Sequence, residues 1–182
     1  GKGGGFGPGS LDMKGEGEGV ESAGLKGTGV FKLAAGRLPA TPLLAGIEKA
    51  LGRTSLAGSP YKATQTTFRA EHDRIAFDRF PLESEKLDLE SEGWSSLEGA
   101  IGMSLIARTP RQGLRIAGVP DEVFDGLTDA KGYVAIPFKI TGTRLQPRVV
   151  PDTDALMAEA RRGVTKVLEK KAADRLKDLL KR

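Results

Sequence analysis

His72 is the residue whose chemistry best suits proton transfer or metal binding, and it is the one histidine of the chain. It is flanked by the charged residues Glu71, Asp73 and Arg74. A hydrolytic triad or a metal site needs further partners at defined spacings, and the serines and carboxylates of the chain form no such pattern. Because His72 and Asp73 separate two runs of alternating apolar residues, we interpret them as a hairpin turn at the surface.

The cysteine and glycine content excludes further kinds of site. The chain has no cysteine, which rules out a thiolate nucleophile, a disulfide and cysteine-bound zinc. Its 25 glycines form neither of the two glycine-rich nucleotide-binding patterns. Gly15, Gly17 and Gly19 instead recur at every second position, which predicts a strand with little side-chain volume on one face. We therefore expect no catalytic residues, no metal and no cofactor in a protein that is not an enzyme.

Apolar residues at alternate positions are the remaining pattern with the chemistry to bind a ligand. Strands with this pattern present one apolar face, and their close spacing predicts an antiparallel sheet. Such a face either forms an ordinary core beneath helices or lines a groove for acyl chains, and both readings stay open. The candidate groove residues are Phe31, Leu33, Phe68, Ile75, Phe77, Leu87, Leu89, Ile101, Met103, Leu105, Ile136, Phe138 and Ile140.

The elements that would position this face belong to a mainly β fold with helices, in the α+β class. We expect a curved antiparallel sheet that forms an open β-groove, together with a short helix and a long C-terminal helix. Thr41 and Pro42 are typical of a helix start and predict the short helix over 41–51. The later strands are expected at 97–105, around Leu114 and Ile116, and at 133–141, with a helical turn over 120–127.

A long amphipathic helix is predicted for residues 152–182, with Asp152 or Thr153 as its cap. From Glu159 onward there are nine Lys or Arg residues and four Asp or Glu, a net charge of +5, which leaves −1 for residues 1–158. This helix could lie on an anionic membrane, cover the end of the sheet or bind a partner. The candidate contact residues are Lys166, Lys170, Lys171, Arg175, Lys177, Lys181 and Arg182.

The boundaries expected from composition are a flexible or tag-derived linker over 1–10, the sheet region over 11–151 and the helix over 152–182. The basic residues are not interleaved with aromatic residues along the strands, so we expect no nucleic-acid partner. No apolar run approaches the roughly 18 residues of a membrane span. No signal peptide or initiator Met opens the chain, and we expect it to be a fragment of a longer protein.

A family resemblance rests on the order of several motifs. The run Ile136-Pro137-Phe138, followed by Gly142, Pro147 and Pro151-Asp152, resembles the end of the sheet region in the AsmA family of Gram-negative envelope proteins. The strand over 27–33 with the Gly36-Arg37 turn and a helix from Thr41 is similar to the same region, as is the alternation over 68–84. The resemblance covers most of residues 11–182.

The resemblance implies a periplasmic protein whose full-length form is anchored in the inner membrane by an N-terminal helix absent here. AsmA-like proteins, with TamB and the bridge-like lipid transfer proteins, are thought to carry phospholipids along a β-groove, which supports outer-membrane biogenesis and homeostasis in the cell envelope. The implied partners are phospholipid acyl chains, the rest of the full-length chain and an outer-membrane or periplasmic protein. The alternative is a structural module that docks an outer-membrane assembly partner without binding lipid.

Overall fold

The computed structural model describes residues 9–17, 25–53 and 56–163. Within them the chain is mainly antiparallel β-sheet with three short helices, which confirms the expected α+β class. Residues 1–8 of the expected linker lie outside the described part, whereas Gly9 and Ser10 begin the first strand. The expected C-terminal helix beyond residue 163, with its seven candidate basic residues, also lies outside the described residues.

The described elements have the following bounds. The strands are β1 (Gly9–Gly17), β2 (Leu25–Leu33), β3 (Gly36–Arg37), β4 (Pro60–Tyr61), β5 (Thr64–Glu71), β6 (Arg74–Glu83), β7 (Asp88–Ser96), β8 (Ile101–Pro110), β9 (Tyr133–Gly142) and β10 (Pro147–Pro151). The helices are α1 (Pro42–Leu51), α2 (Asp121–Leu127) and α3, which begins at residue 153 and is described to residue 163.

Eight of these strands form the main sheet, in the order β1-β2-β5-β6-β7-β8-β9-β10, and every neighbouring pair is antiparallel. The small β3–β4 sheet and α1 are inserted between β2 and β5, and α2 is inserted between β8 and β9. The rest is a meander, in which short connections join strands that are neighbours in the sheet.

The sheet has two distinct ends. At one end, which we call the tip end, the β5–β6, β7–β8 and β9–β10 hairpins turn. At the opposite end, which we call the helix end, α2 connects β8 to β9 and α3 follows β10. Gly163 of α3 lies beside the carbonyl of Gly126 in α2, so these two helices are neighbours. The helices α2 and α3 therefore lie together at the helix end.

The helix α1 forms where the sequence predicts it. The Thr41 hydroxyl accepts a hydrogen bond from the Leu44 amide at 3.2 Å, and Pro42 occupies the first turn. Gly52 ends the helix in a left-handed conformation with φ of 63°, which suits glycine. A side chain on Gly46 would come within 2.7 Å of Val149 in β10, so glycine here permits close packing of α1 on the sheet.

The core is a cluster of buried apolar side chains between the sheet and the helices. It joins Leu33 of β2 and Leu105 of β8 to Ile47 of α1, Phe124 of α2 and Leu156 of α3. The expected short strand around Leu114 and Ile116 is wrong, because residues 111–120 form turns and loops. Both of those side chains are nevertheless buried in the core, which accounts for their apolar spacing.

Other boundaries were partly correct. The strand expected at 97–105 begins only at Ile101, because Leu97 lies in the β7–β8 turn. No strand was expected after 133–141, but Pro147 and Pro151 bound a further strand, β10, which lies at the edge of the sheet, where a missing amide donor is tolerated. The helical turn over 120–127 is confirmed as α2. Asp152 is confirmed as the cap of α3, since its Oδ1 accepts from the Ala155 amide at 3.1 Å.

Candidate functional site

The strand register places the candidate groove residues on a single face of the sheet. Phe68 pairs with Phe77, and Leu105 pairs with Phe138, and paired residues in antiparallel strands lie on the same face. The strand residues that share this apolar face are Phe31, Leu33, Phe68, Ile75, Phe77, Leu89, Ile101, Met103, Leu105, Ile136, Phe138 and Ile140. Leu87, the remaining candidate, lies in the β6–β7 connection and is buried.

A β-bulge in β6 adds two residues that sequence reasoning missed. Phe77 pairs with Gly93 and Phe80 with Ser91, so two residues, Asp78 and Arg79, lie opposite one residue of β7. The extra residue resets the alternation and returns Phe80, and after it Leu82, to the apolar face. The sequence signal for this bulge is the pair of adjacent charged residues, Asp78 and Arg79, between Phe77 and Phe80.

Seven of the candidates are part of the buried core. Each of them is at most 7% exposed, so their side chains contact protein and not solvent in this conformation. They lie chiefly on β8 and β9, the strands nearest to α2 and the edge strand on which α1 packs. These core candidates are Leu33, Leu87, Ile101, Leu105, Ile136, Phe138 and Ile140.

The half-buried part of the face is centred on β6. We call it the β6 patch, and it consists of Phe31, Ile75, Phe77, Phe80 and Met103. Phe31 and Phe80 have ring centroids 6.1 Å apart, and those of Phe77 and Phe80 are 6.4 Å apart, both edge-to-face. The patch runs from the border of the core toward the tip end. Of the other two candidates, Leu89 is half-buried against the core, and Phe68 is buried outside the core cluster.

Beside Phe80 of the β6 patch, the strands β5 and β6 separate. Their backbone pairing covers Phe68–Glu71 with Arg74–Phe77 and does not extend past the bulge. Beyond it, the Thr66 hydroxyl donates to the Arg79 carbonyl at 2.5 Å, and the Thr64 hydroxyl donates to the Pro81 carbonyl at 2.6 Å. Side-chain hydroxyls thus replace backbone amides as the donors that join the two strands here.

The opposite face of the sheet carries exposed ion pairs. Arg69 pairs with Asp78 at 2.9 Å, and Arg79 pairs with Glu90 at 2.7 Å, so both bulge residues are held on this polar face. Such exposed pairs contribute about 0–1 kcal/mol each. The two faces of the sheet therefore differ sharply in chemistry.

A shallow cleft of about 460 Å³ opens on this polar face. Trp94 forms one side of it and lies across Gly102, where an added side chain would come within 2.8 Å of the indole ring. The Arg74 guanidinium stacks on the same indole, 4.2 Å from its centroid. Since Gly102 and Arg74 already occupy the indole surface, the ring is not available as a platform for a ligand.

The strongest electrostatic perturbations belong to structural carboxylates. The pKa of Asp129 is lowered to about 2, chiefly by the hydrogen bond from Arg108 and then by the backbone amide of Tyr133. Lys139 donates to Asp152 at 2.8 Å, which lowers the pKa of Asp152 and raises that of Lys139. Asp129 closes the turn before β9, and Asp152 anchors α3.

The described residues contain no group of three or more His, Cys, Asp or Glu that could hold a metal ion. His72 is exposed in the β5–β6 turn with a φ of 56°, which confirms the expected surface hairpin. Among the same residues, no helix combines the length and apolar composition needed to cross a bilayer. The feature of the described residues that suits a ligand is the apolar face of the sheet.

Comparisons with known proteins found no match for this chain. The sequence matches no model of a protein family, no curated protein and no solved structure.

Proposed function

We propose that this chain is the C-terminal part of an AsmA-like envelope protein that binds phospholipid acyl chains and helps conduct them between the inner and outer membranes. In this proposal the protein works in the periplasm, the full-length chain is anchored in the inner membrane, and the fragment has no catalytic role. The observation that carries the proposal is the one-sided apolar face, which extends from β2 to β10.

The β6 patch is the part of this face that we assign to lipid. Its five side chains are half-buried, so a further apolar group can still cover them. Transfer from water to an apolar surface is worth about 0.8 kcal/mol per CH₂ group. An acyl chain lying along Phe31, Phe77 and Phe80 would gain this energy without a polar pocket for its head group. The buried candidates then act as the core that supports the patch.

The proposal extends to two features of the longer protein. The sheet would be curved and continue into an open β-groove formed with the missing chain. Residues from 152 onward would form one long amphipathic helix, with its basic residues from Lys166 to Arg182 contacting a membrane or a partner protein.

The test is recovery of phospholipid with the purified chain. The protein is expressed in bacteria, purified without detergent, and studied by native mass spectrometry and solvent extraction of lipid. We expect phospholipid to accompany the wild-type chain and to fall about tenfold or more in Phe77→Asp, since a carboxylate disfavours an apolar ligand. Wild-type protein free of phospholipid would contradict the proposal.

A matched control distinguishes the effect of a change on the apolar face from the effect of adding a negative charge. Thr67→Asp places the same side chain on β5, on the exposed opposite face. Both variants must unfold cooperatively with native circular dichroism before their lipid content is compared. Equal lipid loss in Thr67→Asp and Phe77→Asp would mean that the patch is not the binding surface.

The second candidate function is a structural module that docks an envelope-assembly partner without lipid. It is favoured by the packing of α1 on β10, with Leu44, Ile47 and Leu51 of α1 buried. It is also favoured by two exposed apolar residues on the polar face, Ile106 and Val150, which are 46% and 41% exposed. Lipid-free wild-type protein with full stability is the outcome expected of this function.

A further inference from the structure

Two leucines project from neighbouring hairpin turns at the tip end of the sheet. Leu145, in the β9–β10 turn, is 83% exposed, and Leu97, in the β7–β8 turn, is 44% exposed. Full exposure of a large aliphatic side chain is unfavourable in water and contributes nothing to the core. A single exposed leucine is ordinary on a protein surface, but two on adjacent turns together offer an apolar contact site.

The two turns are joined to each other. The Arg144 amide donates to the Gly99 carbonyl at 2.9 Å, and Ala100 and Thr143 form an isolated β-bridge. The Leu97 amide in turn donates to the Asp73 carbonyl in the β5–β6 hairpin at 2.8 Å. Three hairpins thus form one connected edge that carries both leucines.

Each turn is also fixed internally. Gly142 has a φ of 95°, and a side chain there would lie 2.6 Å from the Gln146 carbonyl oxygen. In the other turn, Gly99 has a φ of 100°, and the Ser96 hydroxyl accepts from the Ala100 amide at 2.9 Å. The leucines are therefore held on defined turns, and little conformational entropy is lost when they are buried by a partner.

We propose that Leu97 and Leu145 insert into the surface of a phospholipid bilayer, so that the tip end of the sheet is its membrane-contacting edge. The inference rests on the proposed function and deepens it, because Ile75 and Phe77 of the β6 patch follow the β5–β6 hairpin directly. A chain leaving the bilayer at this edge reaches the β6 patch without crossing the helix end.

A bilayer fits this surface better than a protein partner does. Two separate leucines on turns offer far less than the roughly 800 Å² per partner of a specific protein interface. A bilayer needs no complementary shape, because each side chain partitions individually. The three turns and the residues that directly flank them carry Glu71, Asp73 and Glu98 against Arg74 and Arg144, a net charge of −1, so insertion and not electrostatic attraction supplies the affinity.

The first experiment measures binding of the whole chain to vesicles of phosphatidylethanolamine with phosphatidylcholine, which carry no net charge and so do not attract the basic residues from Lys166 onward. We expect Leu145→Ser and Leu97→Ser each to weaken binding about tenfold, and the double variant about a hundredfold. The control is Ile106→Ser with Val150→Ser, which removes two other exposed apolar residues, both from the polar face. Its binding should stay within about twofold of the wild type.

The second experiment reports insertion directly. Because the chain has no cysteine, Leu145→Cys and Val150→Cys each give a single site for an environment-sensitive fluorophore. With vesicles, the label at 145 should shift to the blue and be quenched by lipid-borne quenchers, and the label at 150 should not. The inference is overturned if the labels at 145 and 150 respond equally, or if the double leucine variant binds vesicles as the wild type does. Either result would leave a protein partner as the ligand of the two leucines.

Failure of this inference is distinguishable from failure of the proposed function. Double-leucine protein that keeps its co-purified phospholipid but no longer binds vesicles supports both. Wild-type protein that inserts Leu145 into vesicles but never carries phospholipid supports the membrane edge and refutes the lipid-binding patch.

Discussion

The strands β9 and β6 lie in one sheet and contribute to the same face, yet their apolar residues have different surroundings. Val134, Ile136, Phe138 and Ile140 of β9 are at most 1% exposed. On β6, Ile75, Phe77 and Phe80 are only half-buried. Alternation therefore specifies which way a side chain points but not whether anything covers it.

The difference follows from the neighbours of each strand. The face of β9 is flanked by large side chains, with Leu105 opposite Phe138, and α1 packs on the adjoining edge strand. On β6, Phe77 is opposite Gly93 in β7, which supplies no side chain. The other half-buried residues of β6 also face small side chains, with Ile75 opposite Ser95 and Phe80 opposite Ser91. Small partners leave the large apolar side chains of β6 with fewer contacts and more accessible surface.

Truncating one phenylalanine on each strand gives the largest expected contrast. Phe138→Ala removes a ring that is 1% exposed and should lower the free energy of unfolding by about 3–5 kcal/mol. Phe77→Ala removes a half-buried ring and should lower it by about 1–2 kcal/mol. Urea unfolding followed by circular dichroism measures both. Similar losses at the two positions would remove the distinction between the strands.

A substitution at Gly93 tests how tightly β7 packs against β8 next to the β6 patch. Its φ is 142°, and an added side chain would lie 2.3 Å from the Gly102 carbonyl oxygen and 2.7 Å from the Met103 Cα, which are backbone atoms. Gly93→Ala should therefore lower the free energy of unfolding by about 2–4 kcal/mol.

Gly113 is the matched control for this substitution. It has a φ of 75° but no atom within 4 Å of an added side chain, so Gly113→Ala should cost only about 1–2 kcal/mol for the backbone conformation. Equal losses at both glycines, measured by the same urea titration, would mean that β7 and β8 move apart easily beneath the β6 patch.

The apolar face of each strand could be predicted from the sequence because the alternation of side chains depends on local backbone geometry. The helix α1 was predictable for the same reason, since Thr41, Pro42 and Gly52 act within one turn of its ends. The bulge at Asp78 and Arg79 was not, because it depends on pairing with β7, which is a contact between strands. Strict alternation therefore omitted Phe80 from the candidate site.

The sequence also did not predict which parts of the apolar face are covered by helices and loops. Seven groove candidates proved to be core because the helices and Leu114 and Ile116 pack over them, and those contacts join distant parts of the chain. The edge strand β10 was missed because its two prolines resemble a sheet exit unless its position at the edge is known.

The threonines that join β5 to β6 should contribute a smaller effect. Thr64→Val and Thr66→Val each remove a hydroxyl donor but keep the side-chain shape, and each should lower the free energy of unfolding by about 1 kcal/mol. Thr67→Val, on the exposed face of β5, should change it by less than about 0.5 kcal/mol. No effect from either bridging threonine would indicate that water replaces the hydroxyl donors between the strands.

The smallest expected effect concerns the carboxylate that anchors α3 to β9. Asp152 caps the helix through the Ala155 amide and pairs with Lys139, and both contacts lower its pKa below the ordinary value of 3.8. A carboxylate with a lowered pKa stabilises the fold above that ordinary value, and the stabilisation disappears as the pH falls through the folded-state pKa.

Asp152→Asn keeps an oxygen for the cap but removes the titrating charge, whereas Asp152→Ala removes the cap as well and should cost about 1 kcal/mol. In urea titrations between pH 6 and about pH 3, the midpoint of the Asn variant should fall less than that of the wild type. A steeper fall in the Asn variant would contradict the sign of the shift. Because Asp152 acts where α3 begins, its titration should weaken the cover over β9 and leave the β6 patch unchanged, so lipid content should not follow the same pH curve.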